Sequence, residues 1–588
     1  MPALWIGLAI GLPWLGALIV LIVGDQRPRG QHGAAVGFAL AAGAAGVGLL
    51  FNTDAAHAVS LPVGGAFGDF TFLADGLGVF LAAVATVVGS LAVIFSVDYM
   101  KGEHQLGRYY GFVLFFIGAM VGLVLTSSLL LMFVFWEITA LCSYALISFY
   151  NDDPKAVAGG MKALIITQLG GIGLLAGALL LFSYQHNYDI PTFLANPNIM
   201  PGNVLAVMAF GCLAAAAAKS AQFPFHTWLP EAMEAPTPIS ALIHAATMVN
   251  AGVYLLARFY PAFQAVPGWR EAVVIIGMIS ALLAAIMALV ATDLKRVLAY
   301  STVSQLGYMV FAVGAGGLYA SQFHLLSHSV FKALLFLSAG AVIHGIGTRD
   351  MRLMGGLGKQ MPIVRNVFMI GALALMGIPV LNGFWSKEMV LEAGLVFGTE
   401  HGMVWAYVLM LVGAGLTALY TIRCIWMVFY GPSRTQNRAH NAGPAMRAAL
   451  IPLALGTLTT WLLANPFLRL LETVGAFKGL LGTVESGWEM LLEVVVAPST
   501  WLALFVIGLG LLAWQGRSRL VGIKRGLEGL ARAAEASFGF EAINRGIVKT
   551  VQTGAESLRV TQTGLLNWNI LGLVAGLVVV LIVLILGG

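Results

Sequence analysis

Long runs of apolar residues, separated by short polar stretches, make up most of the chain. A helix needs about 20 mostly apolar residues to cross a bilayer, so each run of that length is a candidate membrane span. We predict 16 spans and number them in chain order. They cover residues 3–24, 34–51, 72–97, 109–126, 128–149, 160–183, 203–222, 238–258, 272–291, 297–314, 320–345, 362–381, 404–430, 448–466, 499–515 and 565–586. The pattern predicts an all-α integral membrane protein.

One long stretch that does not span, residues 516–564, contains an amphipathic pattern. Its apolar residues recur at steps of three and four, which is typical of one helix face. They are Phe540, Ile543, Ile547, Val551, Ala555 and Leu558. We expect a helix that lies along the membrane surface or across other helices. A plain amphipathic connection between two spans is the alternative.

Basic residues concentrate in the loops that follow odd-numbered spans. These residues are Arg27, Arg29, Lys101, Arg108, Lys155, Lys295, Arg296, Arg349, Arg352, Lys359, Arg434, Arg438, Arg447, Arg517, Arg519, Lys524 and Arg525. Because Lys and Arg are retained on the cytoplasmic side, we expect the odd loops and the amphipathic helix in the cytoplasm and both termini outside the inner (plasma) membrane. The N-terminus lacks the basic start of a signal peptide.

Composition excludes several classes of protein. The chain is 59% hydrophobic and 10% charged, whereas soluble proteins are about 25% charged. A soluble globule, a disordered chain and a nucleic-acid binder are excluded. The three cysteines have no metal-binding spacing, and the chain has neither a Gly-rich phosphate loop nor a redox-ligand pattern. We therefore expect no metal and no cofactor.

Ionisable residues lie inside the predicted spans, where they are costly and mark function by default. Six lie within the spans: Glu137, Lys219, His244, His324, His328 and Lys332. Lys387 and Glu388 lie in the stretch into which span 12 runs. His324, His328 and Lys332 follow at four-residue steps and share one helix face. Two alternatives stay open at this point: Lys387 could snorkel to the interface, and Glu137 could be a static partner of a lysine.

Two of the spans are also interrupted. Pro224 and Pro230 follow Lys219, and Pro379 and Gly383 precede Lys387. Irregular backbone at membrane depth is tolerated only against protein or water. A broken span beside a charge, once in each half of the chain, points to inverted repeats with sites near the middle of the bilayer. Buried lysine can release a proton and histidine can pass it on, so the residues predict a proton or cation pathway.

Four motifs at these positions closely resemble a known family. They are FVFWEITALCSYALI, KSAQFPFHTWLPEAMEAPTPISALIHAATMV, HLLSHSVFKALLFLSAGAVIH and GIPVLNGFWSKE. The family is that of the antiporter-like subunits of respiratory complex I, membrane-bound hydrogenases and Mrp-type sodium/proton antiporters. The similarity covers most of residues 60–440. With its amphipathic helix before the last span, the layout resembles the largest such subunit.

The resemblance implies a division of the chain and a role for each site residue. It implies two inverted five-helix repeats, spans 4–8 and 9–13, broken at spans 7 and 12. The implied segments are 1–108, 109–258 (first repeat), 259–431 (second repeat), 432–515, 516–564 (lateral helix) and 565–588. Glu137 and Lys219 would form a paired gate, and His244 would be the link to the centre. His328 and Lys332 would be the central relay, and Lys387 the terminal carrier.

Departures from the family pattern bear on which complex is involved. Complex I subunits typically carry an acidic residue where this chain has Gly171, and the stretch before the last span is short. Both features favour the Mrp or hydrogenase-related side of the family, and among these we favour an Mrp-like A-type subunit without its C-terminal extension. The C-terminal spans usual in Mrp A subunits do not follow, and Asn250 stands where those subunits often have lysine.

We predict a proton-conducting subunit that works with further antiporter-like subunits and other membrane subunits in the lipid bilayer, with sodium as an open second ion. The alternative is the distal pump of an NADH-quinone oxidoreductase or of a hydrogenase-type complex. Whether the chain is a subunit of such an enzyme stays open. Two further hypotheses are a stand-alone secondary transporter and a structural clamp whose channel is inactive.

Overall fold

The computed structural model describes residues 2–63, 68–434, 439–472, 487–519, 522 and 526–559. In this part of the chain, 14 helices are long and apolar enough to cross a membrane. This confirms the predicted all-α membrane fold. The predicted last span, residues 565–586, lies outside the described residues. The chain divides into two compact units, Met1–Phe538 and Gly539–Gly588.

Three helices and a β-hairpin begin the first unit. Their bounds are α1 Pro2–Val23, α2 Pro28–Leu50, β1 Asp54–Leu61, β2 Phe70–Ala74 and α3 Gly76–Tyr99. The two strands pair antiparallel, with Leu61 opposite Phe70. The prediction missed the hairpin because β2 reads as the apolar start of span 3. The helix begins later because the side chain of Asp75 accepts a hydrogen bond from the Gly78 amide at 2.8 Å, as an N-cap does.

The next helices carry the first group of site residues. Their bounds are α4 Leu106–Leu125, α5 Leu129–Ile147, α6 Pro154–Gln185, α7 Ile190–Ala195 and α8 Gly202–Lys219. The longest of them, α6, has 32 residues and starts earlier than predicted. Asp153 caps it and Pro154 occupies its first turn, where the missing N–H costs nothing.

Regular helix stops at Lys219, and the chain then makes only short helical pieces. These are α9 Trp228–Glu231, α10 Thr237–Ala241, a π-helical turn Leu242–Ala246 and α11 Asn250–Phe263. The segment from Thr237 to Phe263 has an apolar window that is 100% buried. It therefore runs through the centre of the unit, where lipid does not reach it.

The second half of the chain also consists of long helices, and they are interrupted between α15 and α16. Its bounds are α12 Trp269–Val290, α13 Leu294–Ala315, α14 Leu318–Ile346, α15 Pro362–Met376, α16 Asn382–His401 and α17 Val404–Ile425, followed by a π-helical turn Trp426–Tyr430. Predicted span 12, residues 362–381, contains only α15 and the turn after it, and the separate helix α16 begins directly beyond it. Gly377 ends α15 with a φ of +85°, a left-handed conformation that glycine adopts without strain.

The remaining helices of the first unit follow in order. They are α18 Pro444–Thr459, a 3-10 turn Thr460–Leu463, α19 Ala464–Glu472, α20 Gly487–Val496, α21 Pro498–Gln515 and α22 Glu528–Glu535. Asp98 of α3 accepts hydrogen bonds from the amides of Ala445 and Met446 at 2.7 and 3.1 Å. It thereby caps α18 from a distant part of the chain.

The second unit contains the predicted amphipathic helix. This helix, α23, runs from Phe540 to Arg559 without interruption, through both Gly546 and Gly554. Its apolar residues Ile543 and Leu558 are 58% and 69% exposed. The structure therefore confirms the helix.

Candidate functional site

Lys219 is the last residue of α8 and is fully buried. Its Nζ donates a hydrogen bond to the backbone carbonyl of Trp136 at 2.6 Å and lies 4.9 Å from the centre of that indole ring. A cation is also stabilised at a helix C-terminus. The ammonium is thus held by dipoles and an aromatic face rather than by a hydrogen-bonded carboxylate.

Glu137 follows Trp136 on α5 and interacts electrostatically with Lys219. The Gln168 side chain lies near the carboxylate, while Oε1 is buried without a hydrogen-bond partner among the described residues. Gly171 leaves room for this group, because a Cβ there would lie 2.5 Å from Oε1. The structure therefore brings Glu137 and Lys219 together, with the Glu137 carboxylate beside Gly171.

His244 lies in the π-helical turn Leu242–Ala246 and is fully buried. Its ring stacks on Phe336 of α14, with ring centres 5.1 Å apart. Neither ring nitrogen has a hydrogen-bond partner in the described part of the chain. Thr247 Oγ1 and Asn250 Nδ2 donate to the carbonyls of Leu242 and Ala245 at 2.8 and 2.9 Å. Those side chains satisfy carbonyls that the irregular turn releases.

Lys332 and His328 occupy the middle of α14, both fully buried. Lys332 Nζ donates to the hydroxyl of Ser301 on α13. It also lies 5.9 Å from the centre of the Phe336 ring, whose face stacks on His244. Phe336 thus contacts both groups. The ring nitrogens of His328 have no protein partner within the described ranges.

His324 has a different environment from His328. Its Nδ1 lies 2.9 Å from Ser386 Oγ, and its Nε2 lies 3.1 Å from Gln305 Oε1. The two rings are 6.4 Å apart between centres. With both nitrogens engaged, the His324 ring ties α14 to α13 and α16.

Lys387 lies in the second turn of α16 and points back across the break. Its Nζ donates to the carbonyl of Leu375, near the end of α15, at 2.7 Å, and lies 5.7 Å from the Tyr308 ring centre. A snorkelling lysine would expose its ammonium, whereas Lys387 is fully buried.

Glu388 is 2% exposed, and neither carboxylate oxygen has a hydrogen-bond partner among the residues described. It lines a cavity of about 770 Å³ together with Glu392 and Glu493. The Ser499 hydroxyl donates to Glu392. An acidic cavity therefore reaches the residue next to Lys387.

The four helix-breaking residues lie at the two interruptions. Pro224 lies in the turn after α8, and Pro230 lies in the short helix α9. Pro379 lies between α15 and α16, and Gly383 is the second residue of α16. Gly383 packs so closely on the Ala374 carbonyl that a Cβ would collide with it. The two half-helices meet here because no side chain intervenes.

Sequence reasoning overlooked one buried ion pair. Arg258 of α11 makes a bidentate contact with Asp75, and one of its two hydrogen bonds is 2.8 Å long. Its Nε also donates to the Tyr254 hydroxyl at 3.1 Å. A charge near the end of an apolar span was the available signal, but the matching carboxylate is distant in sequence.

The structure places Lys295 in a helix rather than in the predicted loop after span 9. Its position after span 9 assigned it to a cytoplasmic loop, but it lies in the first turn of α13 and is only 4% exposed. Its Nζ donates to the Ala235 carbonyl at 2.6 Å. Asp293 starts α13 earlier than expected by accepting hydrogen bonds from two backbone amides, and this places Lys295 inside the protein.

Two family descriptions match the chain. The description "NADH:quinone oxidoreductase/Mrp antiporter, TM" matches residues 126–417. The description "NADH-Ubiquinone oxidoreductase (complex I), chain 5 N-terminus" matches residues 61–110. The first match contains every site residue described above except Asp75, Glu493 and Ser499.

Two curated proteins and one solved structure show where the similarity lies. NAD(P)H-quinone oxidoreductase chain 5 of Synechocystis sp. is 41% identical over 399 residues, which cover 65% of this chain and 57% of that protein. Na(+)/H(+) antiporter subunit A1 of Staphylococcus haemolyticus is 38% identical over 413 residues, which cover 66% and 51%. The chain thus spans between half and two thirds of the length of these relatives.

A chain of the Mrp complex from Dietzia sp. DQ12-45-1b has the same fold. The TM-score is 0.82 at 28% identity, and the match covers 100% of this chain and 63% of that one.

Among the described residues, no group of three His, Cys, Asp or Glu side chains could hold a metal ion.

Proposed function

Because the chain belongs to the superfamily of antiporter-like membrane subunits, we propose that it conducts protons as one subunit of a multisubunit membrane complex. The resemblance predicted from the four motifs is confirmed by these matches. The observation that carries the proposal is the set of buried ionisable side chains on α5, α8, α14, α16 and the π-helical turn. Ionisable groups at such positions are costly and mark ion pathways.

The bonding of the lysines supports proton transfer. Lys219 and Lys387 donate to backbone carbonyls, and Lys332 donates to a hydroxyl. A neutral oxygen stabilises an ammonium less than a carboxylate does. Each lysine can therefore lose its proton without breaking a hydrogen bond to a carboxylate.

The histidines and Glu388 would link the lysines through water. His244, His328 and Glu388 are buried, and their nitrogens or oxygens lack protein partners in the described ranges. Buried polar atoms of that kind are normally satisfied by ordered water. We place hydrated stations at these three residues, between Lys219 and Lys332 and beside Lys387. His324, which both Ser386 and Gln305 hold, would orient α14 within the relay.

Glu137 would act as the gate of the pathway. Its negative charge favours the protonated form of Lys219, so movement of the carboxylate away from the lysine would promote proton release. We propose that residues 109–258 form one half-channel around this pair and residues 259–431 the other around Lys332 and Lys387. Residues 1–108 and 432–515 would flank these repeats, with 516–564 and 565–588 forming the lateral helix and its anchor.

A neighbouring subunit would cover the face that carries Glu137. This residue is only partly buried, and its neighbours on the same side of α5, Val134 and Leu141, are 41% and 51% exposed. A carboxylate facing lipid at mid-span is costly. We propose that a further antiporter-like subunit packs against this face, in the plasma membrane, with both termini of this chain outside.

We favour an Mrp-like A-type assignment. Gly171 beside Glu137 and the short stretch around α23 support it, as does the likeness to the Dietzia Mrp chain over the whole sequence. The 41% identity to a quinone oxidoreductase chain favours the alternative, a distal pump driven by redox chemistry in other subunits. Sodium as a second ion belongs to the first assignment only.

Purification of the complex tests the proposal. A tagged chain isolated in mild detergent should bring membrane partners with it, and vesicles containing the complex should move protons when driven. Small antiporter subunits among the partners would support the Mrp-like assignment, whereas quinone-site and iron–sulfur subunits would support the alternative. A chain that is stable and active alone would contradict the multisubunit proposal.

A further inference from the structure

The cavity beside Glu388, which we call the outer cavity, has room for a small organic molecule. Its volume of about 770 Å³ lies between the start of α14, the middle of α16 and the junction of α20 with α21. Pockets that bind small molecules measure about 300–1,000 Å³, whereas one water molecule takes up about 30 Å³ in the liquid. The outer cavity is therefore much larger than a single ion or water needs.

The walls of the outer cavity are mostly apolar, and its charges have one sign. The apolar side chains include those of Leu318, Met389 and Val494. The charged side chains are the carboxylates of Glu388, Glu392 and Glu493, and no Lys, Arg or His is among the described residues that line the cavity. This combination is complementary to a cation that carries an apolar body.

Glu388 is the strongest attachment point for such a cation. It is 2% exposed, and both carboxylate oxygens lack a hydrogen-bond partner in the described part of the chain. The adjacent Lys387 donates to the Leu375 carbonyl instead. A buried carboxylate without donors is costly, and charge-assisted hydrogen bonds from a bound cation would remove that cost.

Glu392 supplies a second carboxylate close to the first. It follows Glu388 by four residues on α16, so the two side chains are neighbours on one helix face. The Ser499 hydroxyl of α21 donates to Glu392 and holds it at the cavity wall. Like charges at this spacing destabilise each other. A cation between them would turn that repulsion into two attractions.

A bare metal ion suits the outer cavity less well than an organic cation. Three His, Cys, Asp or Glu side chains grouped to hold a metal ion are not found within the described ranges. A metal ion would also leave the apolar walls uncovered, whereas burial of apolar surface is favourable. An ammonium carries several N–H donors, as the side chain of lysine does, and can therefore donate to both carboxylates.

We propose that the outer cavity binds a primary aliphatic amine in its ammonium form. The nitrogen lies between Glu388 and Glu392, and the aliphatic body packs on Leu318, Met389 and Val494. The inference goes beyond the proposed function, because binding requires no proton transport. One consequence does rest on the proposed function: since Glu388 is a station of the proposed pathway, an occupied cavity should slow proton flux.

Calorimetry with the purified complex in detergent tests the site, with protein-free micelles as the blank. Cyclohexylammonium is the probe, and cyclohexanol is its neutral counterpart of similar shape. Glu388→Gln and Glu392→Gln each remove one negative charge and keep the size of the side chain. Glu400→Gln is the matched control, because Glu400 is exposed in the last turn of the same helix.

We expect the parental and Glu400→Gln complexes to bind cyclohexylammonium equally and to bind cyclohexanol at least about tenfold more weakly. Glu388→Gln and Glu392→Gln should each weaken binding of the amine by about tenfold or more. Failure of the parental complex to bind the amine would overturn the inference, as would equal binding of amine and alcohol or parental affinity in Glu388→Gln. Displacement of the amine by an equal concentration of sodium chloride would overturn it too, because the cavity would then select charge alone. If Glu388→Gln does not assemble, Glu392→Gln and the comparison with cyclohexanol decide.

Proton flux in vesicles separates this inference from the proposed function. We expect cyclohexylammonium to slow the flux of the parental complex. If the amine binds and the flux is unchanged, the site stands and the place of Glu388 in the pathway is wrong. If the parental complex moves no protons at all, the proposed function fails, and calorimetry still decides whether the site exists.

Discussion

At the scale of single residues, four of the buried lysines share one chemical setting, whereas the buried Lys162 pairs with Glu231 at 3.0 Å. Lys219, Lys332, Lys387 and Lys295 each donate to a neutral oxygen rather than to a hydrogen-bonded carboxylate. Arg258, by contrast, makes a bidentate contact with Asp75. Arg258, which is permanently charged, is thus paired with an acid, while these four lysines make no hydrogen bond to a carboxylate. This division separates structural charges from candidate carriers within one protein.

Replacing Lys219 with alanine should reduce proton flux strongly while the complex still assembles. The side chain contacts the Trp136 carbonyl and lies near Glu137, and neither contact joins this chain to another subunit. We expect a loss of about tenfold or more, which corresponds to about 1.4 kcal/mol or more in the barrier. Flux in reconstituted vesicles is the measurement, and Lys155→Ala, at an exposed lysine, is the control. Parental flux in Lys219→Ala would refute the gate.

Lys387 should be required as a group that gains and loses a proton. Lys387→Met and Lys387→Arg should both fail to support transport, since neither side chain releases a proton, whereas Lys387→Glu should retain part of it. Initial rates of vesicle acidification compare the three variants. A Lys387→Arg complex with parental transport would show that only the positive charge matters.

At the scale of helices, the breaks depend on contacts that side chains make across them. Lys387 reaches from α16 to the Leu375 carbonyl of α15, and Thr247 and Asn250 satisfy carbonyls of the π-helical turn. Asp98 caps α18 from α3. Polar side chains thus replace the backbone hydrogen bonds that irregular membrane helices give up.

The ion pair between Arg258 and Asp75 should be important for stability. Removing one partner of a buried pair costs about 3–5 kcal/mol, because the other charge is left uncompensated. Arg258→Met should therefore lower the thermal unfolding temperature of the detergent-solubilised complex markedly. The double variant Arg258→Met with Asp75→Asn should regain part of the loss. No recovery in the double variant would show that packing, rather than charge, stabilises this contact.

The pattern of apolar residues predicted most helices, but it did not predict every irregular turn or the contacts of the buried lysines. Long apolar runs are sufficient for spans, and a proline or glycine beside a charge identified the interruptions after Lys219 and before Lys387. The π-helical turn at His244 has no such signal. The carbonyl partners of Lys219 and Lys387 have none either, since every residue carries a carbonyl. Lys295 was misassigned because a basic residue at a span boundary has the same sequence pattern whether it is exposed or buried.

At the scale of the whole molecule, the lateral helix α23 could act either as a local brace or as a rigid rod that couples subunits. Its unit begins at Gly539, and α23 is 20 residues long. At about 1.5 Å per residue such a helix reaches about 30 Å, too short to cross several subunits. Gly546 and Gly554 each weaken it by about 1 kcal/mol relative to alanine. These features favour a local brace over a rigid coupling rod.

A brace can be tested through its apolar face. Replacing Ile547 and Val551 with serine should loosen assembly in native gels while transport in the remaining complex stays at the parental rate per complex. Serine at Lys549, on the charged side, is the matched control. Intact assembly with lost transport would favour mechanical coupling and contradict the brace.

The central claim is that protons cross this subunit through its buried lysines. The most direct test compares proton flux in vesicles that contain the purified complex with Lys332→Met or, as a control, Lys359→Met at an exposed lysine. We predict that the parental and Lys359→Met complexes move protons at equal rates and that Lys332→Met abolishes the flux without loss of any partner subunit. Parental flux in a fully assembled Lys332→Met complex would contradict the account.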